Sequence, residues 1–197
     1  MRLFVSVEPS PAARAALAGR LAAVDLGAAR LIPADLWHVT LAFLGEVADG
    51  HVTDLRPALA RVAATANPLS LRLSSAGVFP SVRRSAVLWI GLGGDVAALQ
   101  VLAGDVVRAV GQTGVRLERR AFAAHLTVAR YRQPQPAAAQ AAIAALAEYV
   151  GPPFDVAEIH LMRSHLGPRP RHEQIDRWAL GGTRRAATTT PARPTRR

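Results

Sequence analysis

The chain has 197 residues, 50% of them hydrophobic but only 5% aromatic, enough for one domain or two small lobes around an aliphatic, alanine-rich core. It has no cysteine, which excludes a disulfide framework and a thiolate metal site; no run reaches membrane-span length and the opening apolar run is too short for a signal peptide, so a soluble, cytoplasmic protein is expected. The formal charge is +10 and every basic residue is arginine; Arg184, Arg185, Arg193, Arg196 and Arg197 form an acid-free tail, and the remaining excess suits an anionic ligand, nucleic acid above all, or a solvated basic surface.

Arg2 to Val7 alternates and reads as a first strand. Ser10-Pro11 offers a cap and a first-turn proline to a helix over Ala12 to Asp25, which carries Leu17, Leu21 and Val24 at helical spacing. Ala29 to Ile32 is a short strand, and Pro33-Ala34-Asp35 turns the chain into the next one. That strand, Trp37 to Gly45, is a short apolar run closed by glycine and interrupted by His38 and Thr40. Side chains two apart on a strand share a face, so His38 and Thr40 point one way and Val39 and Leu41 the other.

A second helix runs from Asp49 or Thr53 to Ala66, and a half-buried strand from Leu69 to Ala76. Val78 to Arg84 is a polar loop, with Arg83 and Arg84 read as solvated, and Ala86 to Leu92 is again a strand. Gly93-Gly94-Asp95 caps a third helix ending near Gln112, with Val96, Leu99, Leu102, Val106 and Val110 inward. Leu117 to Phe122 leads into Ala124 to Arg130, where His125 and Thr127 repeat the earlier pair in a second apolar strand. One imidazole on a strand is usually structural; two such strands, each offering imidazole and hydroxyl on one face, suggest a site built by duplication. Ala137 to Tyr149 is a fourth helix, Phe154 to Arg163 a strand, Ser164 to Pro170 a loop and His172 to Leu180 a final strand. Several strands follow one another directly, which favours an α+β fold with antiparallel pairing: two pseudo-symmetric lobes, each a mainly antiparallel sheet backed by helices, with a central cleft. Residues 1–180 form that unit, and 181–197 a basic, disordered tail.

His38-Val39-Thr40-Leu41 and His125-Leu126-Thr127-Val128 resemble the paired His-x-Thr-x motifs of the two-histidine phosphoesterases, and most closely those of the bacterial and archaeal RNA 2′,3′-cyclic phosphodiesterases, also called 2′-5′ RNA ligases. The likeness runs from residue 2 to 180. It includes Phe43-Leu44-Gly45-Glu46, Phe79-Pro80, Leu88-Trp89, Arg120-x-Phe122, Leu161-x-Arg163-Ser164 and Arg177-Trp178. It departs at His172, which aligns where the family often has a tyrosine.

The chemistry explains the residue types. Opening a cyclic phosphodiester needs a base for water and an acid for the departing oxygen, and two imidazoles can hold opposite protonation states near neutral pH. Thr40 and Thr127 can donate to phosphate oxygens as charge grows on them. The arrangement requires no metal and no cofactor. The resemblance implies that His38 is the acid to the 3′ oxygen and His125 the base for water, leaving a 2′-phosphomonoester. Arg130 is the expected cationic clamp, although on an unbroken strand it would face away from His125, so a bulge, twist or strand end must re-aim it. Phe43 and Trp89 are candidates to stack on a base, with the buried core the competing expectation for Phe43; His172 is a further candidate substrate contact. The expected partners are RNA with 2′,3′-cyclic phosphate ends or small cyclic nucleotides, bound by a monomer away from any membrane. The alternatives are 2′-5′ joining of RNA ends such as tRNA fragments, and an RNA-binding module without catalysis. His51-Val52-Thr53 sits at a helix start, where residues two apart do not share a face, and reads as a solvated helix end. His160, His165 and His172 have the wrong spacing for a helical metal pair.

Overall fold

The computed structural model describes residues 1–117, 121–167 and 170–181. In chain order the elements are β1 (Arg2–Val7), α1 (Pro11–Ala22), β2 (Arg30–Leu31), β3 (Val39–Glu46), α2 (Asp49–Thr65), β4 (Leu69–Phe79), β5 (Val87–Gly94), α3 (Val96–Gln112), β6 (His125–Arg130), α4 (Pro136–Leu146), β7 (Val150–Val156), β8 (Glu158–His165) and β9 (Arg171–Ala179). The main sheet runs β7-β4-β5-β6-β3-β1-β8-β9, with β2 added against β6. Every described pairing in it is antiparallel. The expected α+β class and the two related lobes are therefore present, but as one curled sheet rather than two. β7-β4-β5-β6 and β3-β1-β8-β9 mirror each other about the β6–β3 seam, which is held by a single register pair, Val39 with Leu126.

Helices cover the outer face of both halves. α1 and α4 pack on β4 and β7, while α3 packs on β3 and α2 on β9. Two helices cross the seam, α1 after β1 and α3 after β5, each packing on the half opposite the strand it follows, while α2 and α4 pack on their own half. Ser10 Oγ accepts from Ala13 N at 3.2 Å, and Pro11 opens α1 as its position predicts. Leu17, Leu99, Val106 and Val110 are fully buried beneath the helices, each stabilising the fold by about 1.5–3 kcal/mol. Among the described residues no helix is long and apolar enough to cross a membrane.

Four expectations are corrected. The single strand read over 154–163 is two, β7 and β8, and α4 stops at Leu146 instead of Tyr149. Pro152 and Pro153 lie in β7, which pairs only with β4 at the sheet's edge, where a missing N–H costs no ladder bond on the open side. β8 also runs on to His165, through the start of the expected loop. Finally, Asp95 precedes α3 but does not cap it with its side chain. Its carboxylate accepts from Ser70 N at 2.8 Å and ties the start of β4 to the helix. Gly94 makes that turn possible, since at φ +89° a Cβ there would collide with the Ser70 carbonyl oxygen. The arginine-rich tail lies outside the described residues.

Candidate active site

The site grows out of the seam. Val39 and Leu126 are fully buried toward the helices, so the residues flanking them, His38 and Thr40 on one strand and His125 and Thr127 on the other, turn to the opposite, cleft face. Antiparallel pairing sets His38 across from Thr127 and Thr40 across from His125. The two imidazoles then occupy a diagonal, about 7–8 Å apart at the backbone in a regular ladder. All four side chains are partly exposed to the cleft. His125 lies near enough that its charge opposes protonation of His38.

Each histidine is oriented in the same way. His38 Nδ1 donates to Leu36 O at 2.8 Å, and His125 Nδ1 donates to Ala123 O at 2.7 Å. In both copies the carbonyl two residues upstream fixes the tautomer, which leaves Nε2 to face the cleft. Aromatic rings hold the imidazoles from the side. Phe4 and His172 lie 4.7 and 4.9 Å from the His38 ring, and Phe79 and Trp89 lie 5.0 and 6.4 Å from that of His125. Trp89 can lie flat in the second half because Gly77 is beneath it: a Cβ there would collide with Trp89 Cζ2.

Bulges settle where the more distant candidates point. Along the β1–β3 ladder Ser6 pairs with Thr40, Val5 with Ala42 and Phe4 with Phe43, so Leu41 is an extra residue. Along β5–β6, Trp89 pairs with Thr127, Leu88 with Ala129 and Val87 with Arg130, so Val128 is extra. Each bulge shifts the strand's phase by one residue. The fifth residue after each histidine, Phe43 in one half and Arg130 in the other, is thereby brought to the cleft face. The core expectation for Phe43 is overturned: it is 56% exposed, with its ring 6.4 Å from that of Phe4. Arg130 is exposed, and the turn it needs comes from the Val128 bulge. His51 is exposed in the first turn of α2, away from this face. Arg120 lies outside the described residues.

A cavity of about 280 Å³ opens beside His38, walled by Phe4, Ser6, Glu8, Met162 and His172. Burial pushes the His38 imidazole down to about 4; the Leu36 carbonyl opposes this, His172 and His125 add to it, and Glu8 opposes it. Burial also lowers His172, against the pull of Glu8 and Asp35. Glu8 is held well below the usual carboxylate range by His160, whose Nδ1 stands 3.5 Å away, and by Arg14, whose guanidinium lies 2.5 Å away. His160 is 6% exposed, with Nε2 3.0 Å from Glu158 and Nδ1 3.5 Å from Glu8. Burial alone would lower it, but the two carboxylates outweigh burial and raise it. Of the three late histidines, His160 thus joins the glutamates, His165 pairs with Glu173 at 2.7 Å, and His172 abuts His38.

Phe4, Ser6, Glu8, Phe79 and His160 join the site without being candidates on sequence grounds. The alternation of Phe4, Ser6 and Glu8 is legible in the chain, but the pairing of β1 beside β3 is not. The sequence puts Phe79 in a loop, whereas it ends β4 with its ring on His125.

An antiparallel sheet of two quasi-equivalent halves, each delivering an imidazole and a hydroxyl to one cleft, defines the two-histidine phosphoesterase class. Within that class the chain belongs to the 2′-5′ RNA ligase superfamily, whose family model matches residues 9–168. It is 37% identical over 146 residues to an RNA 2′,3′-cyclic phosphodiesterase of Geobacillus stearothermophilus, an alignment covering 74% of this chain and 46% of that protein. The chain thus spans about half the length of that relative. A protein of the same description from Archaeoglobus fulgidus is 29% identical over 170 residues, covering 86% of this chain and 94% of its own length. The fold matches a crystal structure from Thermus thermophilus with a TM-score of 0.75 at 25% identity, covering 92% of this chain and 99% of that one. It also matches E. coli LigT complexed with 3′-AMP, with a TM-score of 0.74 at 26% identity over 92% and 98% of the two chains.

Proposed function

We propose that this protein is a metal-independent phosphodiesterase that opens 2′,3′-cyclic phosphates at RNA ends, leaving a 2′-phosphomonoester, and that it does so as a cytoplasmic monomer. The observation that carries the reading is the seam: the Val39–Leu126 pair sends two imidazoles and two hydroxyls to one face with both Nδ1 atoms already engaged. The names of the relatives supply the substrate class.

In this reading the phosphate lies between the two Nε2 atoms. His125 takes a proton from water as its oxygen attacks phosphorus, and His38 gives a proton to the 3′ oxygen as the P–O3′ bond breaks. Thr40 and Thr127 donate to the non-bridging oxygens, and Arg130 adds positive charge on the same face. His38 is neutral in the free protein at pH 7, because burial favours that form; the anionic phosphodiester supplies the charge that makes its protonated form favourable. Phe43, Trp89 and His172 surround this centre as contacts for ribose or base.

The test is hydrolysis of an oligonucleotide ending in 2′,3′-cyclic phosphate, with the products resolved as 2′- or 3′-phosphate. The 2′-phosphate should accumulate, at a rate unaffected by chelator. A 3′-phosphate product, or turnover lost on chelation and restored by added metal, would refute the reading.

A further inference from the structure

The two halves supply nearly the same groups, so something must make one histidine the acid and the other the base. The register shows where they differ. Ser6 pairs with Thr40 and Val7 with Val39, so the next position along β1 sets Glu8 beside His38, and both line the same cavity. On the other side, the residue paired with His125 is Gly91, which has no side chain to bring charge. The half containing His125 adds a cation instead, Arg130, turned to the cleft by the Val128 bulge.

Glu8 is also built to stay charged and in place. Arg14 from α1 contacts it at 2.5 Å, and the buried His160 of β8 stands 3.5 Å away. Glu158 backs His160 at 3.0 Å, and Arg177 of β9 backs Glu158 at 3.5 Å. The result is a chain of alternating charge, Arg14–Glu8–His160–Glu158–Arg177, with Glu8 as the member that reaches the His38 cavity. The other titratable or charged groups toward His38 are His172 from β9 and His125 from β6, both disfavouring its protonation, with Arg171 of β9 also lining the cavity and Asp35 at its rim acting on His172.

We propose that Glu8, clamped by Arg14 and His160, is the positioning residue that sets the direction of proton transfer: its fixed negative charge stabilises the imidazolium form of His38 once the phosphodiester is bound, so that His38 delivers the proton to the departing 3′ oxygen. Glu8 touches neither water nor phosphorus. The balance of the step is unchanged: P–O(water) forms, P–O3′ breaks, one proton leaves water for His125 and one leaves His38 for O3′. The two histidines return to their starting states by exchange with solvent. The proposal rests on the phosphodiesterase reading given above.

The test is Glu8→Gln, followed in two ways. The pH–rate profile for a 2′,3′-cyclic nucleotide should keep its form while the alkaline limb, which reports the acid, moves down by about one pH unit, and kcat at pH 7.5 falls about tenfold with KM little changed. Imidazole NMR titrations in the presence of inorganic phosphate should show His38 protonating at lower pH than in the parent, and His125 unmoved. Glu8→Asp should restore most of the lost rate. An unmoved alkaline limb and an unmoved His38 titration in Glu8→Gln overturn the proposal. Should the amide variant not fold, Glu8→Asp must shift both readouts the same way by a smaller amount, and no shift there overturns it equally. Failure of the phosphodiesterase reading would be seen separately, as absence of turnover in the parent protein, and the NMR titration would still decide the role of Glu8.

Discussion

The half built on β3 and the half built on β6 use one plan with different fittings. In each, an imidazole is fixed through Nδ1 by the carbonyl two residues upstream, a threonine follows on the same face, and a bulge turns the fifth residue into the cleft. That fifth residue is Phe43 in one half and Arg130 in the other. Beside His38 stand Phe4, His172 and an anchored carboxylate; beside His125 stand Phe79, Trp89 and a glycine. The comparison teaches that one strand plan used twice gives symmetric geometry, and that the two copies differ in their neighbours, where we propose the reaction's asymmetry is set.

The comparison can be broken at several points. The largest effect is expected from His125→Ala, which should lower kcat by about 10²–10⁴-fold while RNA binding survives, because it removes the group we propose as the base; unchanged turnover would end the assignment. Next come the fifth residues. Arg130→Ala should cost about 10–100-fold in kcat/KM, as a charge-assisted phosphate contact does. Phe43→Ala should instead raise KM for substrates carrying a base and leave a baseless cyclic phosphate unaffected, which steady-state kinetics with both substrates would separate. A smaller loss is expected from Gly77→Ala, since the added methyl must displace the Trp89 ring from beside His125; reduced kcat and altered tryptophan fluorescence in a folded variant would show it. The smallest effect is on stability. His38 has a folded pKa of about 4, below its ordinary value of 6.5, so between those pH values the unfolded chain takes the proton and the folded chain resists it. Stability through this group is therefore lost as pH falls from 6.5 toward 4. His38→Gln should gain on the parent in urea denaturation at about pH 4.5 relative to pH 7.

Much of this is legible in the chain because strand alternation is a local rule. His38 with Thr40, and His125 with Thr127, need only a period of two to be placed on common faces, and Ser10-Pro11 announces α1. What stays hidden depends on partners far away in the chain. Phe43 cannot be moved out of the core on paper, because the bulge at Leu41 exists only against β1. The same holds for Arg130, whose need for a bulge can be stated but whose bulge is visible only against β5. β7 is masked by two prolines, which argue against a strand until it is seen to lie at an edge. The meeting of Glu8 with His160 gives no signal in the chain, since it depends on β1 lying between β3 and β8.

The central claim is that both imidazoles grip one phosphorus. It is tested most directly by ¹⁵N-imidazole NMR during titration with a 2′-phosphate nucleotide. The Nε2 resonances of His38 and His125 should shift together, saturating at one equivalent with a single Kd. A response from one histidine only, or two separate Kd values, would contradict it.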